Sequence, residues 1–196
     1  MIAWINTGTL IASIFSFLYF YVKSAGPAAL EKKIGKKAYH ICTCYRIISS
    51  LFMSIAFANY IVYYFYPLPV PLPRTFPWSW WWSAAIAGII AVLGGYIWVK
   101  GMKDAGEETM ITKKEHTLYT GIYTKIRHPQ AAGEITYWWV IAFVLHSPFL
   151  AVLSFVWVPV FYMMCVAEEK DLIIRYGEAY LKYKQDTGFL IPKRKQ

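Results

Sequence analysis

Two short polar stretches interrupt an otherwise apolar chain of 196 residues. The first runs Glu115-His116-Thr117-Leu118-Tyr119-Thr120-Gly121-Ile122-Tyr123 and continues through Arg127-His128-Pro129-Gln130 to Glu134. The second is the pair Glu168-Glu169. A basic pair and an acidic pair invite charge pairing, and two adjacent carboxylates at a membrane boundary are costly unless they find partners. Each feature also has a plainer reading. Pro129 suits the first turn of a helix, so His128 can be no more than a helix-start residue. Arg127 can snorkel to headgroups, and Glu168 and Glu169 can be solvated interfacial charges. Glu134, a turn inside the next apolar run, can simply favour a helix N-terminus.

The apolar runs decide whether these stretches meet. The chain is 58% hydrophobic and 19% aromatic, with mean hydropathy +0.38; a soluble domain is about 45–50% apolar, so the excess points into lipid. A spanning helix needs roughly 20 predominantly apolar residues. Ile2–Val22, Ile47–Tyr66 and Trp80–Val99 each fit. Two shorter runs, Ala131–Leu145 and Phe149–Ala167, flank His146-Ser147-Pro148, which predicts a helical hairpin. Pro159 predicts a kink in its second arm. The first polar stretch, just before the hairpin, can fold back on the hairpin's end and bring Arg127 and His128 near Glu168. The expectation is therefore an all-α polytopic membrane protein with five transmembrane helices. Residues 1–100 hold three of them and a basic cytoplasmic loop. Residues 101–196 hold the polar stretches, the hairpin and a cytoplasmic C-terminal helix.

Charge placement tests this division. Lys23 to Arg46 contains six basic residues, Lys100 to Arg127 six and Lys170 to Lys195 seven, nineteen of the twenty Lys and Arg. All three segments fall on one side of a five-helix arrangement, and Arg74 alone falls on the other. Positive charge stays cytoplasmic, which predicts the N-terminus outside and the C-terminus inside. The net charge of +9 is then explained by anionic headgroups rather than by nucleic acid. Lys32, Lys33, Lys36 and Lys37 read as a basic juxtamembrane loop. Pro67 to Pro73 alternates proline and favours an extended run; Trp78, Trp80, Trp81 and Trp82 after it read as an interfacial aromatic belt. Cys42, Cys44 and Cys165 make neither a disulfide framework nor a metal site. The N-terminal run, with no basic residue before it, reads as a retained helix rather than a leader.

The two polar stretches together resemble a known pattern. Gly121-x-Tyr123-x-x-x-Arg127-His128-Pro129, a hairpin, then Glu168-Glu169-x-x-Leu172-x-x-x-Tyr176-Gly177-x-x-Tyr180-x-x-Tyr183 is similar to the isoprenylcysteine carboxyl methyltransferase family, whose wider group includes phospholipid N-methyltransferases. The ending Thr187-Gly188-x-Leu190-x-Pro192 fits as well, so the likeness covers about residues 113–192. It implies an integral membrane enzyme that uses S-adenosyl-L-methionine on a lipid or prenylated substrate at the cytoplasmic face; the short chain suits a prokaryotic plasma membrane. Matching positions imply a cofactor pocket lined by His116, Thr117, Leu118, Tyr119, Gly121, Tyr123, His128, Pro129 and Gln130. Glu168 would hold the cofactor's amino group, and Arg127 and Glu169 would act in catalysis. Arg127, His128 or backbone N–H groups suit its carboxylate, and aromatic faces suit its sulfonium. Two positions depart from the family. Met164 stands where an arginine is thought to hold the substrate, and Ala131 stands where a tyrosine is usual. Losing the arginine removes the natural partner of a substrate carboxylate, which favours an amine, thiol or phenol-like acceptor. Phospholipid N-methyl transfer is one alternative, and an NADPH-dependent reductase of the sterol-reductase type is another. A non-enzymatic membrane protein is a third, and it leaves the clustering of Arg127, His128 and Glu168 unexplained.

Overall fold

The computed structural model describes residues 1–106 and 120–193. Among these residues there is no strand, only a parallel bridge between Ile126 and Gly188. The helices are α1 (Ile2–Ser24), α2 (Pro27–Ile34), α3 (Lys37–Phe65), α4 (Trp80–Ala105), α5 (Pro129–Val144), α6 (Pro148–Leu153), α7 (Trp157–Tyr176) and α8 (Glu178–Asp186). Four stretches are long and apolar enough to cross a membrane: α1, α3, α4 and the α6–α7 rod, Pro148–Tyr176. Large apolar side chains such as Phe15, Trp81 and Val92 point outward, as lipid-facing surface does. With 16 residues, α5 reaches about 24 Å at 1.5 Å per residue, short of a hydrocarbon core of about 30 Å. By length, then, four spans stand where the sequence predicts five.

Proline and glycine set the shape. The α6–α7 rod is interrupted by a 3-10 turn at Ser154–Val156. Pro159 has no N–H for the carbonyl four residues earlier and its ring clashes with it, so the break falls just before the proline. Along the α4–α5 seam a Cβ at Gly133 would lie 2.6 Å from Trp98 Cβ and 2.7 Å from the Gly94 carbonyl oxygen. A Cβ at Gly101 would lie 3.0 Å from Gln130 Cγ. The two backbones approach closely because these side chains are missing.

The centre of the bundle is aromatic. The fully buried Trp157 stacks on Trp138 at 3.7 Å and donates its indole N–H to the Tyr60 hydroxyl at 3.2 Å. Phe17 closes on Trp157 edge-on at 5.8 Å. These contacts tie α1, α3, α5 and α7 together.

Two elements differ from the sequence expectation. The basic segment around Lys32 and Lys33 is helix α2 rather than a loop. Its capping position, Gly26, has no side chain, and Asp171 of α7 accepts the Ala28 N–H at 2.8 Å instead. Helix α3 begins at Lys37, ten residues before the predicted Ile47. Ala38 and Cys42, one turn apart, are both fully buried, so this polar-looking stretch has an inner face that anchors it.

Candidate functional site

The site lies at the end of the bundle that carries Arg46, Arg127 and Lys184, and it is built from the 121–130 segment upward. Gly121 has φ +63, and a Cβ there would collide with the Asp104 carboxylate. Only glycine suits both demands. Asp104 accepts the Ile122 N–H at 2.7 Å and pairs with Lys100 at 2.8 Å, so the end of α4 holds the 3-10 turn Gly121–Thr124. That turn buries Tyr123. The Tyr123 hydroxyl accepts from the Gln130 amide at 3.2 Å, and its carbonyl accepts from the Tyr183 hydroxyl at 2.6 Å.

The next residues pair with the C-terminal segment. Arg127 N–H donates to the Gly188 carbonyl at 2.8 Å and His128 N–H to Phe189 at 3.2 Å, while Gly188 N–H returns to Lys125 at 3.2 Å. His128 occupies the capping position of α5 and Pro129 its first turn, where a missing N–H costs nothing. The backbone of 125–128 is thereby fixed, and the two basic side chains are aimed at α7.

The acidic pair on α7 divides the work. Glu169, 3% exposed at its side chain, receives Arg127 Nε at 2.7 Å, His128 Nε2 at 3.3 Å and Lys184 Nζ at 2.6 Å. Arg127 Nη1 also donates to the Lys184 carbonyl at 3.0 Å and to the Thr187 carbonyl. Glu168, 29% exposed, has one short partner, the Tyr21 hydroxyl at 2.6 Å. Arg46 lies 3.5 Å and His128 Nδ1 3.6 Å away. Phe189 closes the tail side, with its ring 5.0 Å from the His128 ring and 5.3 Å from the Arg127 guanidinium.

Burial opposes charge on His128, but hydrogen bonds to Cys165, Glu168 and Glu169 outweigh it and hold the imidazole well above its usual range, hence protonated at neutral pH. Burial raises the phenols of Tyr123 and Tyr180, and holds Tyr183 at about 12, against the pull of Arg127. These tyrosines are neutral groups in the site.

The expected residues are thus largely gathered. Arg127, His128, Glu168 and Glu169 form one bonded cluster; Tyr123 and Gln130 pair with each other beside it, and Gly121 and Pro129 shape the backbone that carries these side chains. His116, Thr117, Leu118 and Tyr119 lie outside the described residues. Met164 is 4% exposed and belongs to the apolar core. Tyr21 and Arg46 were missed. The sequence offered only a faint signal for them: Arg46 is a lone cation inside a run of hydroxyl and apolar residues, four positions beyond the buried Cys42. Lys184 reads from the sequence only as tail charge, yet it meets Glu169 at 2.6 Å.

A helical membrane protein that keeps a network of paired charges at one end, half open at Glu168, is the class defined by fold and site together. Residues 82–179, half of the chain, match the phospholipid methyltransferase family, and the chain belongs to that family. Protein-S-isoprenylcysteine O-methyltransferase of Saccharomyces cerevisiae is 34% identical over 113 residues, covering 53% of this chain and 46% of the relative. Methanethiol S-methyltransferase of a Pseudomonas species is 36% identical over 78 residues, covering 38% and 28%. The chain thus spans less than half the length of these curated relatives. These similarities lend no support to the reductase alternative.

Proposed function

We propose that this integral membrane protein is a methyltransferase that uses S-adenosyl-L-methionine and methylates a lipid-like acceptor at the charged end of its bundle. The asymmetry of the glutamate pair carries the reading. Glu169 is saturated by three cations, whereas Glu168 keeps an open face and one strong hydrogen bond. A partly desolvated carboxylate oriented in this way suits an ammonium group. Arg46 and His128 flank it and suit a carboxylate next to that ammonium. The residues present therefore fit an amino-acid-bearing cofactor.

When bound, the cofactor supplies a methyl group on a sulfonium sulfur. The chain contributes alignment and dryness, which matter most in an in-line displacement. Glu168 orients the amino-acid end, and Tyr123 and Phe189 offer aromatic faces to a cation. Arg127 and Glu169 act by positioning rather than by touching the reacting atoms, because both are consumed in pairing the 125–128 segment with the tail. Residues 101–196 supply most of the site, and residues 1–100 add Tyr21 and Arg46.

The membrane arrangement that accords with this is five crossings, with α5 as the fourth, the N-terminus outside and the C-terminus and site cytoplasmic. Nineteen of twenty basic residues then face inward, as expected in a prokaryotic plasma membrane. The relatives' names place the methyl group on an isoprenylcysteine in one case and on methanethiol in the other. A lipid or prenylated acceptor is the reading for this chain. A phospholipid amine is the second reading, favoured by the apolar Met164 one helical turn before Glu168.

Calorimetry with S-adenosylhomocysteine in detergent tests the proposal. Micromolar binding is expected, abolished in His128→Ala. Glu168→Ala should weaken it by about 1.5–3 kcal/mol, the worth of a hydrogen bond to a charged group. Affinity unchanged in a folded Glu168→Ala variant would remove that residue from the site.

A further inference from the structure

Glu134 stands apart from the clasp around Glu169. It lies on α5, past the Gly133 contact that presses Trp98 against the helix. Trp98 Nε1 donates to Glu134 Oε1 at 3.2 Å, and among the described residues this is its one hydrogen-bond donor. No cation pairs with it there, although Glu168, Arg46 and Tyr21 all lie within its electrostatic reach. A carboxylate at membrane depth is costly, and a single donor leaves most of that cost uncompensated. The helix dipole does not explain it, since Glu134 is the sixth residue of α5 and that effect fades within the first turn; nor does packing, since Gly94, Gly101 and Gly133 already lock α4 to α5. Glu168 on α7 is offset by Arg46 at 3.5 Å and His128 at 3.6 Å, whereas Glu134 on α5 has no cation against it among the described residues. Beside Glu134 a carboxylate acceptor is repelled, whereas a head that enters carrying a proton is drawn in.

We propose that Glu134 is the acceptor-side base: it receives the proton of an ammonium or thiol head as that head takes the methyl group. The proton on the acceptor's nitrogen or sulfur passes to the Glu134 carboxylate. The freed lone pair forms the new bond to the methyl carbon, and the carbon–sulfonium bond breaks with its electron pair left on sulfur. Glu134 then returns its proton to water. Trp98 is a positioning residue that orients the carboxylate. The inference rests on the methyl-transfer reading above and assigns it an acceptor side.

The test uses the full chain in lipid nanodiscs with three probes that share one tail: dodecylamine, dodecanethiol and dodecanoate. In calorimetry the amine should bind at least about tenfold tighter than dodecanoate, and E134Q should erase that gap while S-adenosylhomocysteine binding stays the same. Methyl transfer to dodecanethiol should fall about 10²-fold in E134Q, return as pH rises into the thiol's own range, and persist in E134D. Where E134Q does not fold, Trp98→Phe serves instead and should narrow the amine–dodecanoate gap. Equal binding of amine and dodecanoate to the native chain overturns the inference alone. So does loss of S-adenosylhomocysteine binding in a folded E134Q, which puts Glu134 on the cofactor side. A native chain that binds no S-adenosylhomocysteine overturns the methyl-transfer reading as well.

Discussion

The two ends of the bundle close in different ways. At one end Trp78 donates to Ser83 Oγ at 3.0 Å, Ser83 pairs with His146 Nδ1 at 2.7 Å, and Trp80 donates to the Val144 carbonyl at 2.9 Å. Phe76 stacks on Trp78 at 4.5 Å and on Phe143 at 5.3 Å. Among the described residues no carboxylate takes part. At the other end Arg46, Arg127, His128, Lys184, Glu168 and Glu169 meet within hydrogen-bonding or ion-pair distance. The neutral end shows that this fold can be sealed without charge. Buried charge is a weak device for stability; at the charged end Arg127 and Glu169 clasp the tail, while Glu168 keeps a side chain 29% exposed.

Three perturbations would break or sharpen that contrast. The largest effect belongs to Arg127→Ala. It leaves Glu169 short of a partner in a pair whose side chains are 9% and 3% exposed; removing one member of such a pair costs about 3–5 kcal/mol. Thermal unfolding in detergent should show a large loss, with the 187–189 segment released to protease. Near-native stability would mean that the clasp does not hold the tail.

The middle effect is a pH dependence confined to the charged end. The folded-state pKa of His128 is raised above its unfolded value of about 6.5. Its protonation therefore adds stability that is fully present below the unfolded value and is lost as pH rises through the folded one. The unfolding midpoint should decline on the alkaline side of neutrality, and His128→Gln should flatten that decline. An identical decline in the variant would assign it to other groups. The smallest effect is that of Trp80→Phe at the neutral end, about 0.5–1.5 kcal/mol for its one hydrogen bond to the Val144 carbonyl, with S-adenosylhomocysteine affinity untouched. Weakened binding there would mean that the two ends are coupled.

Much of this was legible from the chain alone. Long apolar runs mark α1, α3 and α4, and Ser147-Pro148 starts the second arm of the hairpin. The return of that arm places His128 Nδ1 3.6 Å from Glu168, as the order of the motifs predicts. Partner choice was not legible. Arg127 was expected to meet a ligand and instead meets Glu169 and the tail carbonyls. Those carbonyls belong to Thr187 and Lys184, and a backbone acceptor leaves no trace in side-chain pattern. Tyr21 and Arg46 come from helices that read as generic spans, because one hydroxyl on an apolar helix does not show which way it faces. The start of α3 was misplaced for a related reason. Lys37 to Arg46 buries only every fourth residue, so its mean polarity masks its helical face.

The shortness of α5 has a consequence for the surrounding lipid. Its neighbour α4 has 26 residues against its 16, so in the five-span reading the two adjacent helices demand different bilayer thicknesses. Hydrophobic mismatch of this kind is relieved by thinning the bilayer locally. Such a dimple beside α5 would lower headgroups and water toward Glu134, letting a lipid present its polar end at a depth it does not reach in a flat leaflet.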